Sequence, residues 1–226
     1  MASSDNSYGI LLDGEWSLED LMNFSRVYFQ NYSFIYCLDT EAVDIASSRI
    51  KSVLENYELR DGLSYVNIYD IFRSHIAKSE KPQVKSIQYS SPGWLELVLN
   101  VDVALQVAKS VGIYIAAMAS TGGGLYVSYQ KLHKIYIDLK NRRIKEKNNS
   151  LKLEKDQIVI VNKLNDELAK GLGFSSLADL DKHTKDIEES SKLLMAHYRR
   201  IDKMARFVKA KKASFPLNLF VRNSKT

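Results

Sequence analysis

Apolar and aromatic residues settle into helical spacing early in the chain. Leu18, Leu21, Met22, Phe29, Tyr32 and Ile35 or Tyr36 recur three or four positions apart, the pattern of a helix with one core-facing stripe. Its start carries local chemistry too. Ser17 stands as N-cap with Asp20 three residues on, and Trp16 precedes the cap with Leu21 at the fourth helical position, the spacing of a capping box and a hydrophobic staple. Upstream, Tyr8–Leu12 (YGILL) predicts a short strand at a sheet edge. Downstream, Ile45, Ile50, Val53, Leu54 and Tyr57 predict a second helix that closes near Asp61-Gly62. Ile68, Ile71, Phe72, His75 and Ile76 share a third helical face, which fits residues 65–79 better than strand alternation does.

After Lys81-Pro82 the period changes. QVKSIQY, SSPG and WLELVL read as strand, turn and strand, a hairpin over 83–99 with Val84, Ser86, Gln88 and Ser90 on one face and Lys85, Ile87 and Tyr89 on the other. In the turn, Pro92 pre-sets its own φ and Gly93 is expected to take a positive one. A lone hairpin is marginal in water, so it must pack on helices or join another strand, with Tyr8–Leu12 as a candidate. Asn100 or Asp102 then opens a helix carrying Val103, Leu105, Val107, Val111, Ile113, Ile115 and Met118. It is expected to end near Ala119, before a corner at Gly122-Gly123-Gly124, because consecutive glycines each cost a helix about 1 kcal/mol relative to Ala.

The rest of the chain reads as long helices. Leu125, Tyr129, Leu132, Tyr136 and Leu139 form a seam over about 125–147, ending at Asn148-Asn149-Ser150. Ile158, Val161, Leu164 or Asn165, and Leu168 mark another helix over about 152–170, with Gly171 as its stop. Ser176 and Asp179 open a further helix. From about 184 to 212, Ile187, Leu194, Ile201 and Val208 stand seven residues apart with Tyr198 and Ala205 beside them, a spacing compatible with a coiled coil. An antiparallel hairpin or bundle would bury these seams. The tail, SFPLNLFVRNSKT, is apolar enough to dock on the body or on a partner. The fold class expected is α+β, mainly α: an acidic α/β body over 1–120 with its hairpin, then a basic helical domain over 121–226.

Charge sharpens that division. The 226 residues carry 32 Lys and Arg against 27 Asp and Glu, a net +5. Residues 1–130 hold 9 basic against 15 acidic groups, and residues 131–226 hold 23 against 12. Such polarity suits a back half that meets an anionic partner, or two halves that attract each other. The densest run is RRIDKMARFVKAKK. There Arg199, Arg200, Lys203, Arg206, Lys209, Lys211 and Lys212 stand against Asp202, and Arg199, Lys203 and Arg206 are expected to share one helical face. These seven are the candidate contacts to nucleic acid or an acidic partner. A phosphate contact would lose affinity steeply with salt.

Ser110–Gln130 is uncharged over 21 residues, about the length of a membrane span. Lys109, Ser120, Thr121, three glycines and Ser128 favour a buried core helix with a glycine break, and a membrane-inserting region over 103–128 is the alternative. No motif announces catalysis. Ser120-Thr121-Gly122-Gly123-Gly124 lacks the Gly-Lys-Ser/Thr continuation of a phosphate loop. Cys37, the single cysteine, reads as a core residue, and without a second one no internal disulfide forms. His75, His133, His183 and His197 have no cysteine or carboxylate at metal-ligand spacing. No catalytic residue, metal site or cofactor is therefore expected. The N-terminus, MASSDNSYG, does not read as a secretory signal, so the expected location is the cytoplasm.

Ile87–Val98, IQYSSPGWLELV, resembles a pattern in uncharacterised bacterial proteins, an isoleucine–x–aromatic strand followed by Ser-Pro-Gly and an apolar strand that leads into helices. The resemblance covers about 30 residues and implies a bacterial accessory component of a larger assembly, such as an antiviral defence system. It brings no catalytic residues. The function expected is a non-enzymatic assembly or adaptor subunit that forms homo-oligomers or joins a larger complex through its helices. The alternatives are a membrane-associated effector, or an enzyme with an unrecognised site.

Overall fold

A computed structural model describes residues 7–38, 68–120, 155–185 and 187–217. The helix expected over 45–57, the glycine corner, the helix over 125–147, His133 and the end of the tail from Asn218 lie outside the described residues. So does the second part of the uncharged run, beyond Ser120.

The chain is α+β and mainly α. In order, the elements are β1 (Ser7–Leu12), α1 (Leu18–Leu38), α2 (Ile68–His75), a 3-10 turn (Lys78–Glu80), β2 (Gln83–Gln88), β3 (Gly93–Val98), α3 (Val101–Ser120), α4 (Lys155–Gly171), α5 (Leu177–Thr184), α6 (Ile187–Lys209) and β4 (Ala213–Ser214). The strands form one antiparallel sheet in the order β2-β3-β1-β4. The hairpin therefore joins Tyr8–Leu12 as expected. β1 is not an edge, however, because β4 pairs with its far side at Leu11 and Leu12. That pairing brings the end of the chain to its beginning.

Tyr8, Ile10, Leu12, Leu95 and Leu97 turn inward from the sheet, and they share one hydrophobic core with α1, α3, α4 and α6. The described parts of the acidic and basic halves are thus packed together. Alternation fails in β2, where Lys85 and Ser86 together oppose Glu96 across a bulge. Two consecutive side chains consequently reach one carboxylate, Ser86 Oγ at 3.0 Å and Lys85 Nζ at 3.1 Å, because a bulge re-aims the strand it interrupts. The Ser91–Pro92 peptide is cis, and Gly93 is the first residue of β3 without a positive φ. Its glycine is required by proximity instead: a Cβ there would sit 2.3 Å from the Gln88 carbonyl oxygen.

The capping box of α1 is present. Asp20 N–H donates to Ser17 Oγ and Ser17 N–H to Asp20 Oδ2, each at 3.0 Å. Trp16 lies edge-on to Phe24 and parallel to Phe207. The buried stripe of α1 begins later than the spacing suggests, with Phe24, Val27, Tyr28, Asn31, Tyr32, Ile35 and Leu38, while Leu18 and Met22 are exposed. The first turn projects beyond the core it leads into. Tyr32 crosslinks the body, donating to the Glu80 carbonyl at 3.0 Å and accepting from Asn100 N–H at 3.1 Å. Asn100 Oδ1 in turn caps α3 through Val103 N–H.

Val101–Ala119 is long and apolar enough to span a membrane, with mean hydropathy 1.4, yet half of that stretch is buried inside the fold. Its small residues Ala104, Ala108 and Ser110 lie buried, and α1, α4 and α6 pack around it. The heptad positions Leu194 and Ile201 of α6 are likewise buried, among helices of this same chain, as are Met195, Ala196, His197 and Tyr198 between them and Leu193 before them. That is wider than a two-stranded seam. α4 ends at Gly171 as expected, and the left-handed residue of its closing turn is Gly173. Gly173 has φ +101°, and the bond from Phe174 N–H to the Ala169 carbonyl closes the turn, the usual use of a left-handed glycine after a helix.

Candidate functional site

The basic C-terminal half of α6 runs antiparallel to α1. Asn31 Nδ2 donates to the Arg200 carbonyl at 3.3 Å near one end, and Lys212 Nζ meets Asp20 Oδ2 at 2.7 Å near the other. Between them lies a groove of about 620 Å³. From α1 it is lined by Asp20, Asn23, Arg26, Val27 and Gln30. From α6 and the turn after it come Arg200, Lys203, Arg206, Phe207, Ala210 and Lys212. Among the described residues, five basic side chains and one carboxylate line it.

Local structure explains how Lys212 gets there. α6 ends with Lys211 N–H bonded to the Val208 carbonyl and Lys212 N–H to the Phe207 carbonyl, a Schellman closure whose left-handed residue is Lys211, at φ +56°. The chain is reversed onto β1, where Asp13 N–H takes the Lys212 carbonyl at 2.9 Å. Phe215 then stacks near Phe24 and Tyr28, and Tyr8 Oη donates to the Pro216 carbonyl. The expected docking of the tail on the body is seen for this part of it.

Four of the seven candidate cations are brought together, Arg200, Lys203, Arg206 and Lys212. Arg199, Lys209 and Lys211 lie outside the lining, so Arg200 replaces Arg199 on the shared face. Arg200 is half-buried, with its guanidinium 3.8 Å above the Tyr69 ring, a contact that holds the side chain against α2. Arg206 pairs with Asp202 at 2.8 Å. Among the described residues no carboxylate pairs with Arg26 or Lys203. Partial desolvation, then the guanidiniums of Arg200, Arg206 and Arg26, hold the Lys203 ammonium below its usual range. Asp20 is pushed down to about 2, chiefly by Lys212 and then by the Ser17 donors. Arg26 was invisible to sequence reasoning because it stands alone in an acidic half, about 170 residues from the run it joins.

A second hollow of about 710 Å³ lies among α1, α3, α5 and the turn before α5. Its charged groups, Asp102, Lys109, Asp179 and Lys182, alternate in sign and do not define one ligand charge. His183 lines it beside Phe174. His75 Nδ1 donates to the Ile71 carbonyl of its own helix at 2.6 Å.

The nucleophile–base contact in the core is Ser110 Oγ to His197 Nε2, 2.8 Å apart. Burial pushes His197 down to about 3, so the ring is neutral, and both residues are only 1% exposed. Gly171 seals the pair, since a Cβ there would lie 2.8 Å from Ser110 Oγ and 3.0 Å from His197 Nε2. Among the described residues His197 Nδ1 has no hydrogen-bond partner to orient the ring as a base. A pair closed to substrate this way fastens α3, α4 and α6 together. Cys37 is similarly inert, with burial raising its thiol to about 12 and Sγ 3.5 Å from the Phe72 carbonyl. Among the described residues no cluster of three His, Cys, Asp or Glu side chains has metal-binding geometry.

Compared with family models, curated proteins and solved structures, the chain matches none.

Proposed function

We propose that this protein is a non-enzymatic binding subunit that grips the phosphate backbone of nucleic acid between α1 and α6. The observation that carries the reading is the convergence of Arg26, Arg200, Lys203, Arg206 and Lys212 on one groove containing the single carboxylate of Asp20. Like charges gathered at this density repel one another in the free protein, so an anionic polymer that neutralises them is favoured by electrostatics and by release of its counterions. Guanidiniums suit phosphate oxygens because their planar donors bind in pairs. The assembly role and the bacterial defence setting suggested by the hairpin belong to the same proposal, with the binding subunit held in a larger complex or homo-oligomer.

Charge reversal tests it. The double variant Lys203→Glu/Arg206→Glu is expected to lower affinity for a mixed-sequence oligonucleotide by at least a hundredfold, read by fluorescence anisotropy, with an unchanged circular dichroism spectrum. Unaltered affinity would sink the assignment. Tight capture of poly-glutamate with no oligonucleotide binding would replace nucleic acid with an acidic protein partner.

A further inference from the structure

We propose that the protein dimerises through the free edge of β2, which pairs antiparallel with the β2 of a second copy about a two-fold axis between Lys85 and Ser86. This specifies the homo-oligomer of the reading above and does not depend on nucleic-acid binding. The sheet order leaves β2 at one end, and among the described residues no strand lies beyond it. On the core side of the sheet, Ile10, Leu95 and Ile87 form one row across the strands, and Tyr8, Leu97 and Val84 form the next. Burial stops abruptly within each row. Ile10 and Tyr8 are fully buried and Leu95 and Leu97 nearly so, yet Ile87 is 50% exposed and Val84 64%. The core thus covers β1 and β3 and stops short of β2, leaving an apolar ledge at the end of the sheet. The bulge creates that ledge. Val84 and Ile87 are three residues apart and would point to opposite faces of a regular strand, but the extra residue between them puts both on the core side.

The sequence of β2 selects the occupant. QVKSIQ has the same chemistry read from either end. Turned antiparallel on itself, it sets Gln83 opposite the second copy's Gln88, Val84 opposite Ile87, and Lys85 opposite Ser86. Directly opposed side chains are the closest neighbours in such a ladder, so amide meets amide, apolar meets apolar, and neither lysine faces its like. A two-fold contact requires this self-complementarity. Each strand carries the same residues between Val84 and Ile87, so the two bulges match. An axis normal to the sheet keeps the core-side faces of both copies on one side, and the two ledges merge into a cluster of four aliphatic side chains. Bulges and lysines discourage strand addition at an edge. Here the bulge is met by its own copy, and Lys85 is drawn to Glu96 of β3 at 3.1 Å, on the face away from the ledge.

The test is sedimentation velocity of the full chain across the micromolar range. The parent protein is expected at twice the chain mass, dissociating at micromolar concentration. Val84→Lys/Ile87→Lys gathers four like charges in the ledge and should weaken dimerisation by about a hundredfold. Val84→Glu/Ile87→Lys introduces as many charges but pairs each carboxylate with an ammonium across the axis, in this register alone. It should bring dimerisation back to within about tenfold of the parent. Circular dichroism checks that both variants fold, and their affinity for a short oligonucleotide should stay within twofold, because the groove is untouched. A monomeric parent, a dimer indifferent to the lysine pair, or a charge-paired variant as weak as the lysine pair would each overturn the β2 dimer while leaving the groove standing. A dimer that follows the predicted order would support it even if the groove bound no oligonucleotide.

Discussion

The two halves of α6 use similar residues to opposite ends. In the first half, from Leu193 to Tyr198, six consecutive side chains are buried, and even an imidazole is held neutral by desolvation. In the second half only one face stays buried, through Ile201, Met204 and Ala205. Arg200, Lys203 and Arg206 stand open to a groove whose other wall is α1. A polar group becomes structural where three helices close over it and available where only two meet. His197 and Lys203 are six residues apart, yet one is sealed and the other is offered to solvent. The comparison makes the buried half responsible for stability and the open half for binding, and each is testable separately.

The largest effect is expected from Leu194→Ala. Leu194 is 1% exposed, so truncation should cost about 3 kcal/mol of folding stability, measured by urea denaturation, while oligonucleotide affinity at a temperature where the variant is folded stays within twofold. Next is Gly171→Val. The added atoms have no room beside Ser110 Oγ and His197 Nε2, and overpacking of this kind costs about 2 kcal/mol. If Gly171→Val melts like the parent protein, the close junction of α3, α4 and α6 is wrong.

The third prediction concerns pH. The folded pKa of His197 lies well below its unfolded value, at about 3 against the usual 6.5. The unfolded chain therefore binds a proton that the folded chain refuses. The stability associated with neutral His197 is complete above pH 6.5 and is lost as the pH falls from there towards 3. The slope contributed is about 1 kcal/mol per pH unit, and His197→Gln should flatten that part of the stability profile. In contrast, Lys203→Ala on the open half should change stability by no more than about 0.5 kcal/mol while lowering oligonucleotide affinity about tenfold. Smallest of all, Asp20→Asn keeps a capping side chain but frees Lys212 from its ion pair. About a twofold gain in affinity is expected, and a loss would mean that Lys212 must be held by Asp20 to bind.

Much of this was legible from local patterns. The capping box at Ser17–Asp20, the Ser176 cap of α5, the hairpin and the helical face of Phe72 and Ile76 all follow from contacts within a few residues, which spacing encodes directly. What escaped was set by distant contacts. Gly171 and Gly173 look equivalent in KGLGF, and only the approach of Ser110 and His197 separates the packing glycine from the left-handed one. Arg26 belongs to the site because α1 lies antiparallel to α6, a fact no window around residue 26 contains. The heptad of α6 predicted a partner within a helical hairpin or bundle, but not that α1, α3, α4 and α5 would all pack around it. The basic run itself was plain in sequence, but the choice of Arg200 over Arg199 depended on where Tyr69 stood.

The most direct test of the central claim is the salt dependence of oligonucleotide binding, measured for the parent protein and for Lys203→Glu/Arg206→Glu between 50 and 300 mM salt, on the order of the range over which phosphate contacts lose affinity. If phosphates sit in the groove, log affinity should fall against log salt by about 0.7 per phosphate contact for a single strand or about 0.9 for a duplex, and the variant, with two fewer cations, should show a shallower slope along with its weaker affinity. A parent slope near zero, or the same slope in both proteins, would contradict the groove as the phosphate-binding site.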